Sequence, residues 1–386
     1  MPGMEPADRA AISPFYVMEV MRAAEERERA GGEVLHLEVG QPSSGAPAAV
    51  VAAAHAALDS GDPLGYTGAL GTAGLRAAIA GHYRDWYGVD VDPARVVVTT
   101  GASASCVLAF LSAFDAGARV AVTSPGYPCY RNMLAAFGVE VVDVAVDADT
   151  RFQAAPAALE AHGALHGVVV ASPSNPTGTM LDARAMAALT AWCSERDTAL
   201  VSDEIYHGIT YEAAATTALA HSDEAFVVGS FSKYFSMTGW RLGWLVVPEP
   251  FLGPVERLAQ NLYISPPTLS QVAALAAFDA HDELAVNVAR YACNRQILLD
   301  GLPLASLTDL APADGAFYVW AGVDHLTDDS QALCAAWLAD LDIAATPGLD
   351  FDPARGRRHV RFSFAGSTAD VAEAVSRLQA WAVRRG

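Results

Sequence analysis

The sequence predicts an α/β protein: a mostly parallel sheet of seven strands covered by helices, joined to a smaller α+β unit. Three observations lead there. Seven short apolar runs, at 95–100, 119–123, 139–145, 167–171, 199–202, 226–230 and 243–247, are separated by segments with helical spacing. Strands that alternate with helices are joined by crossovers, and crossovers make them parallel. Beyond about residue 300 the order changes to strands paired with helices on one face, a different pattern from the centre. The 386 residues, 52% of them hydrophobic, suffice for a large and a small core.

In chain order, residues 14–31 carry Phe15, Val17, Met18, Val20 and Met21 at helical spacing and stop at Gly31-Gly32. A short strand is expected at 34–39, followed by Gly40-Gln41-Pro42. Residues 47–59 read as an alanine-rich helix. A glycine-punctuated loop, 61–74, contains Tyr66, and 75–87 is again helical. Between the seven strands, helices are expected at 103–114, 128–137, 155–162, 182–196 and 216–220. Residues 267–299 are predominantly helical and cross to the second unit. There, 317–320 and 359–364 read as strands, and 330–340 and 368–384 as helices.

Composition narrows the function. A formal net charge of −20 opposes binding to nucleic acid or to an anionic membrane. No apolar run approaches the ~18 residues of a membrane span. Residues 1–13 lack the apolar core of a secretory signal, so a cytoplasmic location is expected. The five cysteines are dispersed, with no C-x-x-C pair, as in a reducing compartment. His162 and His166 have i,i+4 spacing, but no carboxylate or further histidine completes a metal site.

The chain has one lysine, Lys233, among 24 basic residues. Lysine can lose its proton and form a Schiff base, whereas a guanidinium cannot. The surrounding run is Phe226-Val-Val-Gly-Ser230-Phe-Ser232-Lys233-Tyr-Phe-Ser236-Met-Thr238-Gly-Trp-Arg241-Leu-Gly243. An apolar strand ends in small hydroxyl residues, then the lysine, then an arginine eight residues on. Ser230, Ser232 and Arg241 are donors suited to a phosphate dianion.

Ligands of open parallel sheets bind beyond the carboxyl ends of the strands. Polar residues interrupt the apolar runs at those ends. Gly101-Ala102-Ser103 opens a helix whose N–H groups can cradle a phosphate, although such a run is also an ordinary turn and N-cap. Pro125-Gly126-Tyr127-Pro128 could stack an aromatic on a flat ring, or merely pack a loop. Ser172-Pro-Ser-Asn175-Pro176-Thr-Gly178 presents an amide from a rigid turn. Asp203-Glu204-Ile205-Tyr206 puts an acid at the end of a buried strand, where it needs a partner; read alone, it could equally cap a loop.

Together, Asn175, Asp203, Tyr206, Ser230, Lys233 and Arg241 resemble, in order and spacing, the fold type I enzymes that use pyridoxal 5'-phosphate, in particular the class I/II aminotransferases. The resemblance extends from Gly40-Gln41-Pro42 to Arg361. It implies a large cofactor-binding domain, residues 46–280, and a small domain built from 1–45 and 281–386. It also implies a homodimer with shared active sites. By the same resemblance, Lys233 forms the aldimine with the cofactor and moves the proton at the substrate Cα. Asp203 keeps the pyridine nitrogen protonated. Asn175 and Tyr206 bond the ring oxygen, and Tyr127 stacks on the ring. Ala102, Ser103, Ser230 and Arg241 hold the phosphate, with Tyr66 reaching it from the partner subunit. Arg361 clamps the substrate α-carboxylate beside Gly40, with Asn175 adjacent. The substrates are then an amino acid and a 2-oxo acid, passing through a pyridoxamine phosphate form.

Aspartate-specific relatives place a cation near the substrate side chain, in the segment before the long helix or just after the phosphate-binding glycine. Here no Arg or Lys occurs between Arg257 and Arg290, and Ser103 follows Gly101-Ala102. Ile12, Phe15, Tyr16, Tyr263 and Ile264 are expected to line the pocket, so a neutral or apolar donor is favoured. Two rivals remain at this stage: a lyase of the same fold, such as a carbon–sulfur β-lyase, and an aminotransferase-like effector domain of a transcription regulator. The acidic charge disfavours the second.

Overall fold

The computed structural model describes residues 5–385; residues 1–4 and 386, the extreme ends of the segments assigned to the small domain, lie outside it. In chain order the elements are α1 (Tyr16–Arg29), β1 (Leu35–His36), α2 (Ala48–Asp59), α3 (Ala73–Tyr87), β2 (Val96–Thr99), α4 (Ala102–Ala113), β3 (Arg119–Ser124) and α5 (Pro128–Ala136). Next come β4 (Glu140–Ala145), α6 (Pro156–Glu160), β5 (Gly167–Ala171), α7 (Ala183–Ser194), β6 (Ala199–Asp203), β7 (Phe226–Ser230), β8 (Gly243–Val246), α8 (Leu252–Leu262) and α9 (Thr268–Ala274). The chain closes with α10 (His281–Gly301), β9 (Tyr318–Gly322), α11 (Ser330–Leu341), β10 (Ile343–Ala344), β11 (Thr346–Pro347), β12 (His359–Ser363) and α12 (Thr368–Arg385).

The expected seven strands form one sheet, ordered β2-β8-β7-β6-β5-β3-β4. All neighbours are parallel except β8, which runs antiparallel to both β2 and β7. Strands β2, β7 and β8 are buried along their whole length. This is why their sequences are unbroken apolar runs rather than alternating ones. Two helices are capped by an aspartate: at the head of α7 the Asp182 side chain accepts from Ala185 N at 2.7 Å, and Asp329 caps α11.

Outside this sheet, β9, β11 and β12 form a three-stranded antiparallel sheet. The strand expected at 34–39 shortens to Leu35–His36, which pairs parallel with β10. Residues 37–40 instead leave the strand, and the carbonyls of Glu38 and Gly40 accept from side chains. Thus both ends of the chain enter one structure. The helix α8 was not anticipated. Its Gly253-Pro254 start reads as a turn, yet proline is tolerated in the first helical turn. No helix among the described residues is long and apolar enough to cross a membrane.

Candidate active site

The register of the sheet sets Ala171 opposite Asp203 and Ser230 opposite Gly243, so the polar segments that follow β5, β6 and β7 open into one crevice. Two adjoining cavities occupy it, of about 150 and 140 Å³. They share Tyr127, Tyr130, Ile205 and Lys233 as a common wall. The first is bounded by Gly40, Asn175, Tyr206, Arg361 and the apolar Phe15, Val17 and Met21. The second is bounded by Ala102, Ser103, Asp203, Ser230 and Arg241. Eleven of the twelve expected site residues therefore converge, from Gly40 to Arg361. The twelfth, Tyr66, lies outside both cavities and is 84% exposed.

Lys233 follows the end of β7, and its Nζ donates to the Gly40 carbonyl at 2.5 Å. Burial lowers its pKa to about 8; the charges of Arg361 and Arg241 lower it too, against the pull of Asp203. An amine with that pKa is partly neutral near pH 7, the state in which nitrogen acts as nucleophile or base.

Asp203, at the carboxyl end of β6, is 3% exposed. Burial pushes its pKa up to about 6, opposed by the Tyr130 hydroxyl, the Ile205 N–H and the charge of Lys233. The Tyr130 hydroxyl donates to Oδ2, and Ile205 N donates to Oδ1 at 3.1 Å. Among the described residues no cation forms an ion pair with this buried carboxyl, and the cavity beside it has room for one.

The second cavity is also lined by Ala102 and Ser103, the first residues of α4, and N–H groups in a first helical turn have no intrahelical acceptor. Gly101, at φ 86°, precedes the helix, and a Cβ there would stand 2.5 Å from the Arg241 guanidinium. Glycine is required for that approach. Ser230, Ser232 and Thr238 complete a rim of hydroxyls. A cradle of N–H, hydroxyl and guanidinium donors opposite a buried acid suits a flat ring carrying phosphate at one end and a basic nitrogen at the other.

Arg361, on β12, is 2% exposed. Its Nη1 donates to Asn175 Oδ1 at 2.9 Å, and its Nη2 donates to the Glu38 carbonyl. The guanidinium lies 4.4 Å from the Tyr318 ring centroid and 4.7 Å from that of Phe351. Its Nε is buried without a partner. A planar cation held on two faces, with a donor left over, is prepared for a carboxylate.

Several site residues escaped the sequence reading. Tyr130 holds Asp203, and its position three residues after Tyr127 on α5 was the available signal; the two rings meet edge-on at 5.3 Å. Tyr318 bonds Tyr206, hydroxyl to hydroxyl, at 2.7 Å and flanks Arg361. Phe351 was equally unmarked. Of the expected side-chain pocket residues, Phe15 lines the first cavity and meets Tyr127 edge-on at 6.1 Å. Tyr16 instead faces a groove between α1 and α11, and Ile12 and Ile264 are exposed. Tyr263 packs against the core beneath the sheet. Val17 and Met21, in the first and second turns of α1, take the places expected of them.

This fold, with its sole lysine between a buried acid and a sandwiched arginine, defines a fold type I enzyme of the pyridoxal phosphate class. The family profile "Aminotransferase class I and II" matches residues 32–378, and the chain belongs to that family of pyridoxal phosphate-dependent aminotransferases. It is 52% identical over 97% of both chains to a valine–pyruvate aminotransferase of Mycobacterium tuberculosis. The crystal structure of an aminotransferase from M. tuberculosis superposes with a TM-score of 0.97 at 51% identity, covering 99% of this chain and 100% of that one. An aspartate aminotransferase from Thermus thermophilus with maleate superposes with a TM-score of 0.92 at 30% identity, over 98% and 100% of the chains. These relatives are transaminases rather than the carbon–sulfur lyase that the sequence left open.

Proposed function

We propose that this aminotransferase takes a neutral or apolar L-amino acid, with valine and alanine foremost, and passes its amino group to a 2-oxo acid. The observation that carries the reading is the first cavity. Phe15, Val17, Met21, Val39 and Ile205 supply its apolar walls, and Lys233 and Arg361 are its only cations among the described residues. Arg361 is committed to the α-carboxylate common to all donors, so a second carboxylate would be buried without a partner. That costs about 3 kcal/mol or more, roughly a hundredfold against aspartate. The similarity to a valine–pyruvate aminotransferase supports the same choice.

In this reading the bound cofactor supplies an electron sink for charge developing at the substrate Cα. The residues do the rest. Ala102, Ser103, Ser230 and Arg241 hold the phosphate, Tyr127 covers the ring, Asp203 pairs with the ring nitrogen, and Asn175 and Tyr206 face the ring oxygen. Lys233 anchors the cofactor and carries the Cα proton. Arg361 and the backbone at Gly40 orient the substrate so that the Cα–H bond faces Lys233. Residues 46–280 serve as the cofactor-binding domain, and 1–45 with 281–386 as the small domain.

Mixing the holoenzyme with each amino acid and following the cofactor's absorbance tests donor choice. Valine or alanine should convert at least about a hundredfold faster than aspartate; the reverse order would refute the neutral pocket. Arg361→Ala should lower kcat/KM for every donor by about a hundredfold or more, without reordering them.

The active form is proposed to be a homodimer. Tyr66 is 84% exposed in the single chain, on a loop anchored by Thr268 Oγ1 to the Gly65 carbonyl at 2.6 Å. Leu262 and Ile264 lie exposed in the same region. If Tyr66 serves the partner's phosphate site, mixing Lys233→Ala with Tyr66→Ala subunits regenerates one intact site per heterodimer. Activity at limiting cofactor should then recover beyond that of either variant. A fully active monomer in sedimentation would rule this out.

A further inference from the structure

In the turn after β6, outside the lining of both cavities, His207 closes a buried hydrogen-bond chain that the reaction as described does not use. It is 8% exposed and follows Tyr206 directly. Its Nε2 lies 2.9 Å from the Ser172 carbonyl, which can only accept, so Nε2 carries the proton. Its Nδ1 lies 2.8 Å from the Tyr87 hydroxyl on α3 and must accept from it while the ring is neutral. Burial lowers the ring's pKa to about 4, which keeps it neutral. The ionisable groups around it are Tyr87 and His82 of α3 and Glu204 of its own turn, whose carboxylate stands 3.6 Å from Nδ1.

Ser172 is where this chain reaches the site. Its N–H donates to the Asp203 carbonyl at 3.1 Å, and its Oγ accepts from Leu181 N at 3.0 Å. It begins the turn that presents Asn175. One imidazole thus ties three things together: the turn bearing Tyr206, the turn bearing Asn175, and a rigid helix of the large sheet's outer layer. Neither turn lies within a helix or strand; each closes only a few backbone bonds, such as Gly178 N to the Ser174 carbonyl at 2.8 Å and Ile209 N to the Tyr206 carbonyl at 2.9 Å.

We propose that His207, fixed by Tyr87, is the positioning residue that aligns Asn175 and Tyr206 with the cofactor's ring oxygen. The inference rests on the reading of Asn175 and Tyr206 given above. His207 touches neither substrate nor cofactor; it acts through the two turns. Donors to a ring oxygen favour its anionic form, so donors moved out of line should raise the pH at which the bound cofactor's visible band titrates.

The test uses holoenzyme and four variants: Tyr87→Phe, His207→Phe, His207→Gln and Asn175→Ala. Two readouts are taken, the midpoint of the visible-band titration and the cofactor dissociation constant by equilibrium dialysis. His207→Phe should raise the midpoint by about half a unit to one unit and weaken cofactor retention about three- to tenfold. Tyr87→Phe, which deletes a single hydroxyl and should fold normally, should do the same to a smaller degree. His207→Gln, with an amide N–H able to reach Ser172, should recover part of the loss. If Asn175→Ala moves the midpoint while Tyr87→Phe and folded His207→Phe leave it at the wild-type value, His207 is packing only and the inference falls. If Asn175→Ala itself leaves the midpoint unmoved, the role given to Asn175 fails, and the inference with it.

Discussion

Replacing Lys233 with alanine should abolish turnover, by at least about 10⁴-fold, while cofactor still binds measurably. The two effects separate because different residues cause them. The N–H groups at the head of α4, the hydroxyls of Ser230 and Thr238, and Arg241 surround the second cavity and remain in the variant. What is lost is the one amine in the chain. Lys233→Arg should fail as completely, because a guanidinium keeps its proton in proteins. In the wild type, borohydride reduction and peptide mapping should find the phosphopyridoxyl mass on Lys233; an active, yellow preparation with Lys233 unmodified would contradict the assignment. Capture of cofactor by the cofactor-free protein should also depend on pH. With burial and two arginines holding the amine's pKa at about 8, the neutral fraction, and so the capture rate, rises as pH increases through that value. For an ordinary lysine the same rise would come about two units higher.

The second large effect is expected at Asp203. Asp203→Asn preserves shape but removes the charge, and turnover should fall by about 10²- to 10⁴-fold. Near wild-type turnover would mean that the ring nitrogen needs no anion. The stability of the cofactor-free protein should respond in the opposite direction. The folded pKa of Asp203 is raised to about 6, above the unfolded value, so the folded state holds the proton more tightly. Its contribution to stability therefore falls as pH rises through the window from about 4 to 6, by up to about 3 kcal/mol. Above that window, Asp203→Asn without cofactor should melt no lower than wild type, and cofactor should stabilise wild type more than the variant. Tyr130→Phe separates the two influences. It keeps the carboxylate but removes a hydrogen bond that lowers its pKa, so in the cofactor-free protein the window should extend to higher pH.

Much of the fold was legible because its signals are local. The strand 226–230 is one apolar run closed by small residues, and its bounds agree with β7. The strand 34–39 was overextended because its apolar residues are buried by segments far along the chain, while only Leu35 and His36 find a pairing strand. The antiparallel course of β8 left no mark on its sequence, since a strand buried on both faces reads the same in either direction.

The site divides in the same way. By itself the sequence determined which residue could do the chemistry: one lysine at a strand end, an acid at the end of another, and small and glycine residues before α4, because reactivity and backbone freedom belong to residue types. Only the tertiary structure decided how strongly each group is driven. Tyr130, Tyr318 and Phe351 carry no motif. They matter because packing brings Tyr130 to Asp203 and sandwiches Arg361 between two rings drawn from β9 and the segment before β12. The shifts at Lys233 and Asp203 arise from loss of water and from charges distant in sequence, and neither exists until the chain has closed around them.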